Sequence, residues 1–255
     1  MRVRGVVSAL LLGWMASAHA IVDIEALRAG APQPGYSGAL NVSADGQSGN
    51  TEKVAINAGA RLQWHGGAVT NFAILRYNYG ATSGVQDTNK FFFHARHIHQ
   101  ISDRRAYEGF IQAERNIFAR LDFRGLIGGG LRLTLTEIPD KKTLHFGAGG
   151  FFSREKLQER AGLTDAGRSN IWRVNTYLNY VQQLNHSVRV LSTTYYQPAI
   201  EDFSDYRLLE EATLSVKMTD TLSLNVSLDL AHDSKPPQAV KKTDTTYSTG
   251  AEYSF

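Results

Sequence analysis

The stretch Ser248-Thr-Gly250-Ala-Glu-Tyr253-Ser-Phe255 decides the fold. Its odd positions carry Ala251, Tyr253 and Phe255, and Tyr247 and Thr249 extend that row upstream. Its even positions are small or polar. A strict two-residue period marks a β-strand with one face toward an apolar medium and the other toward water.

Upstream, the same period recurs. Twelve alternating segments are predicted, over roughly 35–45, 51–65, 68–80, 88–100, 104–118, 121–137, 141–154, 169–184, 187–198, 205–218, 221–232 and 243–255. In the second, Val54, Ile56, Ala58, Ala60, Leu62 and Trp64 share a face, opposite Lys53, Asn57, Gln63 and His65. In the sixth, Ile127, Leu131, Leu133 and Leu135 oppose Arg124, Gly128, Gly130, Arg132 and Thr134. In the eleventh, Leu222, Leu224, Val226, Leu228 and Leu230 oppose Ser223, Asn225, Ser227 and Asp229. Phe72, Ile74 and Phe110 break the pattern, either as inward plugs or through a bulge that shifts the register. The glycine run 128–130 lies mid-strand, where small residues permit curvature.

Apolar-out, polar-in segments of this length are the template of a transmembrane barrel. The connections agree. One alternate set is short, near residues 66, 102, 139, 185 and 219, and the other is mostly longer, at 44–50, 80–87, 153–168, 197–205 and 231–244. The predicted fold is therefore all-β: an antiparallel, up-and-down outer-membrane β-barrel over residues 35–255, with short periplasmic turns and longer extracellular loops. The last segment is expected to close on residues 35–45. It resembles the signal that such barrels show to their assembly machinery, with Ser248, Gly250, Tyr253 and Phe255 as its residues.

Residues 1–20 read as a secretory signal peptide: Arg2 and Arg4, an apolar run over 5–15, then the small-x-small site Ala18-His-Ala20. A short periplasmic lead-in is expected over 21–34. The leader holds two of the 27 Lys and Arg residues and none of the 24 Asp and Glu, so the remaining chain carries +1 and offers no charge argument for nucleic acid. Cysteine is absent, which removes disulfides, thiol nucleophiles and zinc–thiolate sites. The mean hydropathy of −0.27 disfavours a helical membrane protein but not a barrel, in which only alternate residues need be apolar.

The candidate site is a set of charges on the polar face of three neighbouring segments. Lys90, His94 and Arg96 are followed by Glu108, Gln112 and Glu114, then by Arg124 and Arg132, so the sign runs basic, acidic, basic. Inside a barrel these groups must be hydrated or paired. They form either an ion-pair ladder bracing the wall or a selectivity eyelet. His97 and His99 share a face without a third ligand, which disfavours zinc, and no catalytic constellation, metal site or cofactor is predicted. Residues 235–242 form a basic, proline-stiffened loop that either contacts lipopolysaccharide phosphates or is solvated.

The run from Asp233 to Tyr247, together with 248–255, resembles the C-terminus of YdiY-like salt-induced outer-membrane proteins, a domain of unknown function. Residues 87–135 are also similar, with paired Phe- and Tyr-rich strands and Leu121-Asp-Phe-Arg124-Gly before a glycine-rich strand. The resemblance implies an outer-membrane barrel and carries over no catalytic residue. The expected function is a non-enzymatic narrow channel or envelope-structural protein, linked by the resemblance to salt stress. Its expected partners are outer-membrane lipid, lipopolysaccharide, the barrel-assembly machinery and small ions or solutes. The alternatives are an enzyme acting on lipid or lipopolysaccharide, and a surface-binding protein using residues 153–168.

The terminal aromatic yields a first prediction. Deleting Phe255, or Phe255→Asp, should reduce the amount of protein recovered from the outer-membrane fraction in cells; recovery at the unaltered level would refute the assembly role.

Overall fold

The computed structural model describes residues 34–49, 52–219 and 222–253. They form twelve strands: β1 (Gly35–Gln47), β2 (Lys53–Gly66), β3 (Val69–Thr82), β4 (Val85–Ser102), β5 (Arg105–Asn116), β6 (Leu121–Ile138), β7 (Lys142–Leu157), β8 (Arg168–Gln183), β9 (Val188–Pro198), β10 (Tyr206–Lys217), β11 (Leu222–Asp233) and β12 (Thr243–Tyr253). Each pairs antiparallel with the next in chain order. The leader, the lead-in up to residue 33 and Phe255 lie outside the described residues, and the described pairings stop at β12 without reaching the expected closure on residues 35–45. Ser248, Gly250 and Tyr253 lie in β12, opposite Ser227, Asn225 and Leu222.

The faces are inverted relative to a soluble protein. On β6, Ile127 is 61% and Leu131 54% exposed, whereas Arg124 and Arg132 on the other face are 8% and 9% exposed. Apolar side chains outward and charged ones inward fit a wall with hydrocarbon outside and polar lumen inside. The register carries this to the last strand, where Tyr247, Thr249 and Ala251 stand opposite Leu228, Val226 and Leu224.

Turns at one end of the barrel are short: 67–68, 103–104, 139–141, 184–187 and 218–221. The other end carries 158–167, 199–205 and 234–242. Two sequence expectations are corrected here. The loop expected over 80–87 shrinks to Ser83 and Gly84, whose φ angles of 50° and 74° suit a tight hairpin turn matching strand twist. A register shift between Gly80 and Ala81 absorbs the extra residue. The seventh strand, expected to end at 154, continues to Leu157 and carries Glu155 into the lumen.

Phe72 and Ile74 are inward plugs, 7% and 3% exposed, in a β3 whose register on β2 is unbroken. They cluster with Phe92, Ile98 and Ala106, while Tyr177, Tyr195 and Leu209 cluster across the lumen. Between these groups β6 and β7 carry glycines on the inward face, among them Gly128 and Gly147. A Cβ at Gly128 would fall 2.7 Å from Phe110 Cζ and 2.5 Å from Phe151 Cβ, and one at Gly147 would meet the Tyr177 ring. These glycines thus form a trench over which β5 and β8 side chains lean together, and the Tyr177 hydroxyl donates to Glu108 Oε2 at 3.2 Å.

A methyl group in this trench must move an aromatic ring. Gly147→Ala should destabilise the barrel by about 1–3 kcal/mol, as overpacking does. The check is the temperature at which the compact band converts to the unfolded one on unboiled SDS gels; an unchanged temperature would contradict the close approach.

Candidate functional site

The inward face of β4–β11 assembles buried charges into two connected sets. In the first, Arg96 on β4 pairs with Glu108 on β5 at 2.8 Å, and its guanidinium sits 5.0 Å from the centroid of the Phe110 ring. The Tyr177 bond described above gives that carboxylate a donor from β8 as well. The second set is centred on Glu155. Arg124 donates to it through Nε (2.8 Å) and Nη2 (3.2 Å). Arg207 donates from β10 through Nη1 (2.8 Å) and Nη2 (3.1 Å). Arg124 Nη1 also reaches Glu114 Oε1 at 2.5 Å, and Arg207 Nε reaches Asp233 at 3.1 Å. One carboxylate thus accepts two guanidinium forks, the geometry in which arginine is strongest. The result ties β5, β6, β7, β10 and β11 together across the lumen. Beside it, Arg173 pairs with Asp205 at 2.7 Å and donates to the carbonyls of Gln197 and Asp205.

Of the residues predicted from sequence, Arg96 and Glu108 form one pair and Glu114 and Arg124 another. Arg132 is buried in the wall between its pairing partners Ala106 and Gly147. Lys90 lines the cavity described below. Glu155, Arg173 and Arg207 were missed. The alternation of β8 and β10 places Arg173 with Asn175 and Asn179, and Arg207 with Leu209, on the inward face, so that signal was present; Glu155 was hidden by ending its strand too early.

Above the Glu155 network, at the long-loop end, lies a cavity of about 390 Å³. Among the described residues lining it are nine Lys and Arg side chains, including Arg76, Lys90, Lys241 and Lys242, against six Asp and Glu. Its loops are clasped over it. Arg120, fully buried with φ 54°, donates to Asp165 Oδ2 (3.0 Å), the Gln238 carbonyl (2.7 Å) and the Gln158 carbonyl (3.1 Å). The Gln238 N–H donates to Asp165 Oδ2 at 2.6 Å, and the Thr164 N–H donates to Gln238 Oε1 at 3.1 Å. Three loops therefore converge on one guanidinium. Lys235 pairs with Asp202, adding the 199–205 loop. Burial pushes the Asp165 carboxyl up, but the Gln238 N–H and the Arg120 guanidinium outweigh it and hold that group below the usual carboxylate range.

The outward face carries polar groups too. His97 Nδ1 lies 2.7 Å from Asn71 Oδ1, and His99 stacks on Tyr107 with centroids 4.9 Å apart. Among the described residues no group of three or more His, Cys, Asp and Glu side chains is placed to hold a metal. Glu210, on the outward side of β10, accepts hydrogen bonds from Ser192 Oγ at 2.7 Å and from the Thr194 hydroxyl. Those two donors reduce the cost of placing an acid on the apolar outer face. Nothing in the segment-by-segment reading singled it out.

Strand order, inverted faces and a braced polar lumen define the class: an antiparallel up-and-down β-barrel of the outer-membrane type. The chain belongs to the family described as "Protein of unknown function, DUF481", which matches residues 40–255. This agrees with the resemblance read from the C-terminal residues. Among solved structures, the NanC porin superposes with a TM-score of 0.50 at 13% identity, covering 85% of this chain and all of that one. The translocator domain of the autotransporter NalP from Neisseria meningitidis gives 0.44 at 13% identity, covering 86% and 87% of the two chains. The β domain of the Bordetella autotransporter BrkA gives 0.39 at 12% identity, covering 87% and 99%. At such identities the NanC likeness speaks to fold alone. No protein of curated function matches the chain.

Two predictions follow from the geometry. Arg207→Ala leaves Glu155 with one guanidinium and Asp233 without its bond from Arg207, and should cost about 3–5 kcal/mol; Arg207→Lys should recover only part, since an ammonium cannot reproduce the fork. Unfolding of the purified barrel in micelles by urea reads both. For the clasp, a depressed Asp165 stabilises the closed loops above its unfolded-state pKa and loses that contribution as pH falls through its folded one. Protease cleavage within 158–167 should stay low from neutral pH to about 4 and rise below that; cleavage indifferent to acid would exclude Asp165 as the latch.

Proposed function

We propose that this protein resides in the bacterial outer membrane and acts as a narrow, non-enzymatic channel whose outer vestibule favours anions. The observation that supports it is the cavity at the long-loop end, where lysine and arginine outnumber carboxylates nine to six. A low-dielectric wall focuses such an imbalance, and rings of basic side chains select anions. Below the vestibule, the Glu155 network and the Tyr177–Glu108–Arg96 bridge occupy much of the lumen. The bore is accordingly much smaller than that of an open porin with more strands. In this placement the long loops face the exterior, the short turns face the periplasm, and the basic loop 234–242 faces lipopolysaccharide. The resemblance to salt-induced proteins suggests a role under osmotic stress.

A second reading, an envelope-structural barrel that conducts nothing, is favoured by the Arg120 clasp over the mouth. Planar-bilayer recording of the refolded protein separates the two. The channel reading expects small, discrete openings whose reversal potential in a KCl gradient shows anion preference, with Lys241→Glu plus Lys242→Glu shifting it toward cations. A silent bilayer, from protein that still shows heat-dependent mobility on gels, would overturn the channel and leave the structural barrel.

A further inference from the structure

The outward wall of β2–β6 does not present an even apolar surface. Ala73 pairs with Ala95, Ala95 with Ile111, and His97 with Gly109, so small residues meet where other rows carry leucine or isoleucine. They floor a hollow of about 670 Å³, walled by Leu62 and Trp64 on one side and by Ile111 and Ile127 on the other. That volume lies within the range of small-molecule sites. In a bilayer, filling such a hollow restores dispersion contacts that an empty one forfeits.

The chemistry changes along the hollow. Toward the short-turn end the next outward pair is His99 and Tyr107, whose rings stack, followed by Arg105 at the start of β5 and Arg104 in the turn. Both arginines are exposed, and Asp103 is the carboxylate of the same turn. The arginines outnumber it. Apolar depth below a cationic, aromatic rim complements one kind of molecule, an amphiphile with an anionic headgroup. The same face of a second copy would set arginine against arginine at this depth instead of supplying the anion that the rim calls for.

We propose that this hollow is a binding site for one anionic phospholipid of the inner leaflet, its acyl chains over Ala73, Ala95 and Gly109 and its phosphate at His99, Tyr107 and Arg105. Arginine and a phenol hydroxyl are suited donors to phosphate oxygens. The inference rests on the membrane placement proposed above.

Native mass spectrometry of the full-length protein, extracted in mild detergent, tests it. The unaltered barrel should retain one phospholipid, and should prefer phosphatidylglycerol or cardiolipin over phosphatidylethanolamine in competition. A Cβ at Gly109 meets nothing within 4 Å, so Gly109→Leu fills the hollow without strain inside the protein. It should lower the lipid-bound fraction by about tenfold in affinity. Arg105→Ala should retain lipid but lose the headgroup preference. Equal lipid retention by the unaltered protein and Gly109→Leu would overturn the site, as would a dimer in place of the lipid complex. The same samples are run unboiled on gels. A heat-modifiable barrel without specific lipid overturns this inference alone, whereas a chain with no heat-dependent mobility overturns the membrane placement beneath it.

Discussion

Glu155 is the group on which the upper lumen depends. It takes four hydrogen bonds from Arg124 and Arg207, so β6, β7 and β10 share one carboxylate although other strands lie between them. Neither guanidinium is idle otherwise: Arg124 reaches Glu114 and Arg207 reaches Asp233. Such a chain has no tolerance for a missing member, because every charge in it is already withdrawn from water. It fixes the level at which the vestibule ends and the filled part of the lumen begins. The loops above it are arranged in the same manner, with the single guanidinium of Arg120 collecting acceptors from separate segments. Arginine serves in both places for the same reason, since its planar fork bonds several acceptors at once without reorganising.

The apolar face plays the complementary part. A strand in hydrocarbon must have every backbone group bonded to a neighbour, and among the described residues the in-order ladder gives each of β2 to β11 a partner strand on both sides. Leucine, isoleucine and valine then point outward with no core to fill. Packing energy is gained inside the lumen instead, where the Phe110 ring on β5 meets the Arg96 guanidinium and Tyr177 on β8 bonds to Glu108.

Much of this was legible in the sequence, because a period of two is enforced wherever one face is greasy and the other wet. The twelve strands, their inverted faces and the placing of Arg96, Glu108, Glu114 and Arg124 on the polar face follow from that period and from chain order, whereas which charge meets which does not. What escaped has physical causes. Strand ends carry no periodic signal beyond the apolar band, so the period alone leaves Glu155 in a loop. The turn at Ser83 and Gly84 was hidden because polar residues continue the ladder on both sides of it. Contacts such as Arg207 with Glu155, or Arg120 with Gln238, join segments distant in the chain, and no local spacing encodes them. Of the two readings open for Phe72, Ile74 and Phe110, inward plugs or a shifted register, the structure bears out the first for Phe72 and Ile74.

The glycine trench bears on the shape of whatever space remains inside. In an evenly lined barrel, side chains project from all sides and any free passage lies on the axis. Here the rings of Phe110 and Tyr177 lie over Gly128 on β6 and Gly147 on β7, where no Cβ holds them off the wall. The packed matter is thereby shifted toward one sector of the wall. Any passage left beside them is eccentric, displaced from the axis toward the strands on the other side.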